Sequence, residues 1–240
     1  MRKAYALIVF TFVWHFNFAQ SISALGVFPT IDHSGPLSKK LDYSFYYFGA
    51  FPLTYIEKQK THSADFLLAY AEQAITYNTS NRLSFTASYI LQRTDFFKNY
   101  YSNENRIYIQ AAYKQKIIRR SEINLKHRLR FDNRFIQNNI TDKTPYTHRL
   151  RYLIGADFSI KSKKNNKYIA AYEEAFFNTY KNAGSVYAEN WAYAALGHKI
   201  NNNNKVEAGM LYITWKTAPN SWFNQYYLQL TWINQLNFNK

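Results

Sequence analysis

Residues 122–135 read EINLKHRLRFDNRF, and their polarity alternates almost without a break. Ile123, Leu125, Leu129, Phe131 and Phe135 share one parity with His127 and Asn133. Glu122, Asn124, Lys126, Arg128, Arg130, Asp132 and Arg134 take the other. A period of two places these sets on opposite faces of a strand, whereas a helix would scatter both around its axis. A strand of 14 residues is long beside the roughly 5 or 6 usual in soluble proteins. It suits a tilted membrane strand, which needs about 9 to 11 residues in the bilayer.

The same period recurs. In Thr147–Ile160, Leu150, Tyr152, Ile154, Ala156, Phe158 and Ile160 oppose Arg149, Arg151, Gly155, Asp157 and Ser159, with Leu153 as the one bulky exception. Arg82–Leu91, Lys205–Thr214 and Tyr226–Phe238 alternate as clearly. Ser38–Gly49, Ala64–Thr76, Asn105–Ile118, Lys167–Asn178 and Val186–Lys199 do so more weakly. Short polar turns (Thr79–Asn81, Arg119–Ser121, Lys161–Asn166, Asn201–Asn204) alternate with longer connections at Phe51–His62, Thr94–Glu104, Gln137–Tyr146, Thr179–Ser185 and Lys216–Trp222. One short-turn end and one long-loop end is the pattern of an outer-membrane barrel. The expected fold is therefore all-β: a closed antiparallel transmembrane β-barrel of about ten strands, with eight or twelve as variants. Trp191, Trp215, Trp222 and Trp232, near strand ends, are expected in aromatic girdles.

The N-terminus reads as an export signal. Arg2 and Lys3 precede the apolar Ala4–Val13, and Ala19 suits the last residue before cleavage. This divides the chain into a signal peptide (1–19), an N-terminal lead-in (20–37) and the barrel (38–240). The lead-in is left out of the wall because an eleventh strand would put the N-terminus outside and break the even count. The mature chain keeps 28 basic against 15 acidic residues; the whole sequence has 22 Tyr, 19 Phe and no Cys. Such a charge alone would suit nucleic acid, but the export signal removes that partner, and the arginines alternate with leucine instead of forming an exposed basic face. The expected setting is the bacterial outer membrane. The partners are its lipid and, through the last strand with Phe238, its assembly machinery; the barrel is expected to be a monomer.

Several short motifs carry a resemblance: ENRIYIQ from Glu104, HRLRFDNRF from His127, HRLRY from His148, EEAFFN from Glu173, Glu189-Asn190-Trp191, and Leu196-Gly197 ahead of an Asn run. With these the chain resembles an uncharacterised family of outer-membrane β-barrel proteins of Bacteroidota, domain of unknown function family 2490. The match is strongest from about Asn103 onward and departs at Gln20–Pro36. The resemblance implies a barrel and an envelope location, and no reaction.

The candidate site is a lumenal network: Arg106, Arg128, Arg130, Asp132, Arg134, Arg149, Arg151, Glu173, Glu174 and Glu189. Pairing the HRLR strands across Gln137–Tyr146 sets Arg130 beside Arg151 and Asp132 beside Arg149. Like charges side by side repel, so interior carboxylates must intervene. Which of Glu173 and Glu174 turns inward is open, because alternation blurs there. The network reads first as structural, in a narrow barrel of unassigned activity. A lining that selects small anions is one alternative, and a lipid-binding or lipid-modifying barrel is another. His127 and His148 fall on the outward parity, His62 and Ser63 lack a third partner, and the adjacent Asp32, His33 and Ser34 point apart. No Gly-x-Ser-x-Gly, HExxH, phosphate loop or metal-ligand cluster occurs in the sequence. Catalytic residues, cofactors and metals are accordingly not expected.

Overall fold

The computed structural model describes residues 21–57, 60–63, 66–116, 124–141, 143–160, 166–180, 185–218 and 221–236. The proposed signal peptide, Glu122 and Phe238 lie outside them. The strands are β1 Ser21–Pro36, β2 Leu41–Glu57, β3 Lys60–Ser63, β4 Leu68–Asn78, β5 Leu83–Thr94 and β6 Ser102–Lys116. They continue as β7 Asn124–Asn138, β8 Tyr146–Ile160, β9 Lys167–Asn178, β10 Tyr187–Lys199, β11 Asn204–Ala218 and β12 Ser221–Gln235. All ten expected strands are present, with ends within about five residues of expectation except at β2, which runs eight residues past Gly49 to Glu57; with β3 it takes up most of the segment expected as the long connection Phe51–His62.

The sheet order is β1-β12-β11-β10-β9-β8-β7-β6-β5-β4-β2-β3, and an additional β1–β2 pairing closes it. Since β3 pairs only with the far end of β2, the closed wall holds eleven strands. This corrects the even count. The segment expected as a lead-in, 20–37, supplies β1, which runs antiparallel to β2 but parallel to β12, from Ser21↔Trp222 to Ser34↔Gln235. The parallel pair is what an odd number of up-and-down strands requires for closure.

Two sequence details made β1 hard to read. Pro29 has no N–H to give, and the β1–β2 register skips it, passing from Val27↔Phe51 to Thr30↔Phe48. A register shift also follows Leu25, where a Cβ on Gly26 would overlap the Phe51 and Pro52 backbone. Bulges and prolines tolerated in this way interrupt the strand signal without ending the strand.

Four-residue turns at one end use a side-chain oxygen to hold the backbone, as Ser and Asn do in turns. Ser38 Oγ accepts from Leu41 N (3.1 Å), Ser80 Oγ from Leu83 N (3.1 Å), and Asn201 Oδ1 from Asn204 N (2.9 Å). The expected contrast in loop length holds less well. Lys116 and Asn124 are separated by as many residues as Thr94 and Ser102, and only 219–220 separate β11 from β12, where a long connection was expected.

One side-chain parity of each strand fills the interior. Phe28 stacks on Phe48 (centroids 4.5 Å) and Phe48 on Tyr70 (4.3 Å). Trp191 meets Phe28, Phe48 and Phe176 at 6.1, 6.2 and 5.7 Å. Trp191 is thus an interior residue, and Trp215 packs against the same cluster and Phe223 (4.8 Å). Neither belongs to an outer girdle. Their parity with Tyr193 and Ile213, both buried, decided the matter. Trp232, by contrast, is exposed on the outer face. The other parity carries the outward apolar side chains, among them Leu25, Tyr89, Leu91, Ile107, Ile109, Leu129, Ile154, Leu228 and Leu230.

Candidate functional site

Strands β7 and β8 pair with Arg130 opposite Arg151 and Asp132 opposite Arg149. Their inward parity contains Arg128, Arg130, Asp132 and Arg134 on β7, and Arg149 and Arg151 on β8. Neighbouring strands add Glu72 (β4), Glu104 and Arg106 (β6), Glu174 (β9) and Glu189 (β10). These groups meet in one connected lattice.

Its centre is Asp132, which is 0% exposed. Its Oδ2 lies 3.0 Å from Arg149 Nε, 3.6 Å from Arg151 Nη1 and 3.8 Å from Arg106 Nη1. Arg151 grips Glu174 through Nε (2.9 Å) and Nη2 (2.8 Å), while Arg128 Nη2 donates to the same carboxylate at 2.7 Å. Arg134 makes a second fork on Glu104 (2.7 and 2.8 Å), which Arg106 Nε also reaches at 2.7 Å. Arg149 Nη1 donates to Glu189 at 3.2 Å, and Trp191 Nε1 to the same residue at 2.6 Å. Paired forks of this kind use guanidinium's planar geometry, which lysine lacks.

Arg130 is held differently. Its guanidinium lies over the Tyr108 ring (3.7 Å to the centroid), its Nε donates to Gln110 (2.9 Å), and Nη1 is 3.7 Å from Glu72. Glu72 receives hydroxyl hydrogen bonds from Tyr70 (2.6 Å) and Tyr108. Arg151 likewise stacks over Phe176 at 4.2 Å. The two facing arginines of the register therefore turn to different carboxylates, which relieves the repulsion of their pairing.

Glu173 and Glu174 separate cleanly. Glu174 is buried inside with Arg151; Glu173 points to the outer wall, where Asn190 Nδ2 donates to it at 3.3 Å. Two carboxylates of the lattice had escaped sequence reasoning. Glu104 shares its parity with Arg106, a signal that was present; Glu72 sits on a strand whose two faces are equally polar. Of the other acidic residues, Asp157 pairs with Lys126, and Glu207 accepts from Tyr168 (2.8 Å) and Tyr193 (2.9 Å). His127 and His148 lie on the outer wall, hydrogen-bonded to Tyr152 (2.8 Å) and Thr179 (2.7 Å). Asp32, His33 and Ser34 alternate along β1 and do not converge.

Around this lattice runs an interior cavity of about 630 Å³, walled by Phe28, Phe48, Tyr70 and Trp191 on one side and by Arg128, Arg130, Arg149 and Arg151 on the other. Asp132 Oδ1 and Arg128 Nε have no hydrogen-bond partner among the described residues.

Fold and interior together define a closed β-barrel with a salt-bridged core. The chain belongs to the family described as protein of unknown function (DUF2490), whose model matches residues 36–224. That span begins at the last residue of β1 and ends within β12, so nearly all of the closing strand lies outside the match. Among solved structures the chain is similar to an anion-selective porin from Comamonas acidovorans, with 13% identity and a TM-score of 0.33 over 81% of this chain. The chain spans about half the length of that porin, 55% of it. No curated protein matches the chain.

Proposed function

We propose that the chain is an outer-membrane β-barrel whose role is structural, with a lumen closed by its own side chains. The observation that carries this reading is the interior lattice. Six arginines and five carboxylates interlock across β4, β6, β7, β8, β9 and β10, and an aromatic slab faces them. A channel selective for anions needs cationic groups free to meet an ion; here Arg106, Arg149 and Arg151 are each committed to carboxylates and buried.

The membrane setting is supported by the outer wall. Its strands are 11 to 17 residues long, or upwards of about 36 Å at roughly 3.3 Å per residue. Tilted as barrel strands are, they cover an apolar band about 25 Å tall. Outward leucines, isoleucines and tyrosines populate that height, and buried arginines fill the inside: the reverse of a water-soluble fold. Exposed apolar residues in such number would otherwise be an aggregation hazard. The orientation follows from the class. With the four-residue turns in the periplasm, the C-terminus is periplasmic and β1 begins at the outer end.

The test is membrane fractionation combined with heat-modifiable gel migration. An outer-membrane chain that migrates faster unheated than boiled is expected; a chain that remains soluble and monomeric without detergent overturns the reading. A second reading keeps one observation of its own. Arg128 and Arg134, 26% and 18% exposed, border the cavity and could pass or bind a small anion. Steady anion-selective conductance would promote it.

A further inference from the structure

One arginine of the outer wall lacks a polar partner among the described residues. Arg93 is the last residue but one of β5, at the end opposite the four-residue turns. Its parity is that of the exposed Phe85, Tyr89 and Leu91, so its side chain leaves the barrel outward. Pairing sets Asn103 of β6 beside it, and Gln137 of β7 beside Asn103. The three side chains form a row across the wall, with neighbours about 5 Å apart at Cβ. None of them makes a hydrogen bond or ion pair among the described residues, and the Arg93 Nε is shielded from solvent. The β5–β6 loop holds the guanidinium in place. It turns at Asp95, whose φ of 54° is left-handed, and brings the Tyr101 ring to 3.7 Å and the Phe96 ring to 5.3 Å from Arg93. The Asp95 carboxylate makes no ion pair with Arg93; its charged neighbour is Lys98.

Resting on the membrane-spanning reading above, we propose that this row binds the phosphate of a lipid in the outer leaflet. The row lies at the cell-surface end, where hydrocarbon gives way to headgroups. A guanidinium can only donate, and the two amides beside it add further donors, so the row suits an anion rich in acceptor oxygens. A phosphate is such an anion, and arginine's planar fork meets two of its oxygens at once. An arginine near a membrane surface ordinarily extends its head into water. Stacking on Tyr101 keeps this one against the wall, its charge uncompensated at headgroup level. Two residues nearer the membrane centre on the outer strands of the row, Leu91 and Phe135 are exposed and offer apolar surface to acyl chains. That surface adds binding for a lipid that a free phosphate cannot gain. The lipid partner expected from the sequence thereby acquires a particular site.

Full-length protein is folded in micelles and given dioleoyl phosphatidic acid or dioleoylglycerol, which share their acyl chains and differ by the phosphate. Native mass spectrometry measures the lipid retained. The native chain is expected to hold phosphatidic acid and to retain roughly tenfold less dioleoylglycerol. Arg93→Gln, which breaks no contact with a polar partner, is expected to keep its heat-modifiable migration and to lose roughly tenfold of the phosphatidic acid. Lys216→Gln, which removes an outward cation of β11 beside Trp222, is expected to retain it fully. Equal retention of the two lipids, unchanged retention in Arg93→Gln, or the same loss in both variants overturns the proposal. So does displacement of the lipid by inorganic phosphate, which would make the row a site for a free anion. Fractionation of the same samples separates the two readings: a water-soluble chain defeats the membrane setting, whereas a membrane-embedded chain indifferent to the phosphate defeats only the lipid site.

Discussion

Glu173 and Glu174 are neighbours in the chain, and they answer to different surroundings. Alternation alone could not say which turns inward, since both are acidic and the contrast between the two faces blurs around them. The inward arginines decide it: Arg151 and Arg128 converge on Glu174. The two arginines of the register can be ranked in the same way. Arg151→Gln removes a fork, leaving buried Glu174 with one guanidinium and Asp132 with fewer counter-charges. It is expected to cost about 3 kcal/mol, toward the low end for breaking a buried pair, because Arg128 remains. Arg130→Gln loses a stacked, singly bonded group while Tyr70 and Tyr108 still hold Glu72. It is expected to cost only about 1–2 kcal/mol. Urea unfolding in micelles, followed by tryptophan fluorescence, measures both. Equal costs would mean that geometry does not set the strength of the lattice. A third substitution tests close packing. A Cβ on Gly197 would fall inside the Tyr168 ring, so Gly197→Ala must push that ring off Glu207. A loss of about 1–3 kcal/mol is expected in the same titration, as for other overpacked cores.

The elements were legible to different degrees, and the reason is physical. Strands β7 and β8 alternate arginine with leucine, a contrast so strong that their faces and mutual register follow from parity. Strand β4 puts Tyr70, Glu72 and Ala74 inside and Ala71, Gln73 and Ile75 outside, so neither face declares itself. Strand β1 is the clearest failure. Its Pro29, the irregularity at Gly26 and the assumption of an even count all argued against a strand one of whose two partners, β12, lies about 200 residues away in sequence. What anchors it is a single large side chain. Phe28 is 1% exposed, stacked on Phe48 and tilted against Tyr227 at 5.4 Å. Phe28→Ala is expected to destabilise the barrel by about 3–5 kcal/mol, the range for a buried phenylalanine. It should also loosen β1 before the rest of the wall, since two of its neighbouring backbone pairings to β2 are already absent. Limited proteolysis of the folded variant should therefore cut within 21–36 first. Cleavage spread evenly over the loops would show that β1 is no weaker than its neighbours.

Eleven strands place the whole molecule between two regimes. Barrels of about eight strands are filled by side chains, and those of 16 to 18 enclose water. At this intermediate size the contents of the interior decide whether solutes pass, and here the contents are bulky. Trp191 joins the aromatic wall to the charged one: its ring meets Phe28, Phe48 and Phe176, and its Nε1 donates to Glu189, which in turn holds Arg149. Removing that side chain opens space between the aromatic and the charged walls and frees Glu189 from one donor, while the hydrogen-bonded wall remains intact. The native barrel is therefore expected to show no large, steady conductance in planar bilayers at neutral pH. Trp191→Ala is expected to show discrete small openings while keeping its heat-modifiable migration. With the surrounding arginines retained, those openings should favour anions, and raising the salt concentration should weaken the preference by screening. Large, steady channels in the native protein would mean that the lattice leaves a continuous path and that the chain works as a pore. A silent Trp191→Ala barrel would move the closure from the aromatic slab to the arginine–carboxylate lattice alone.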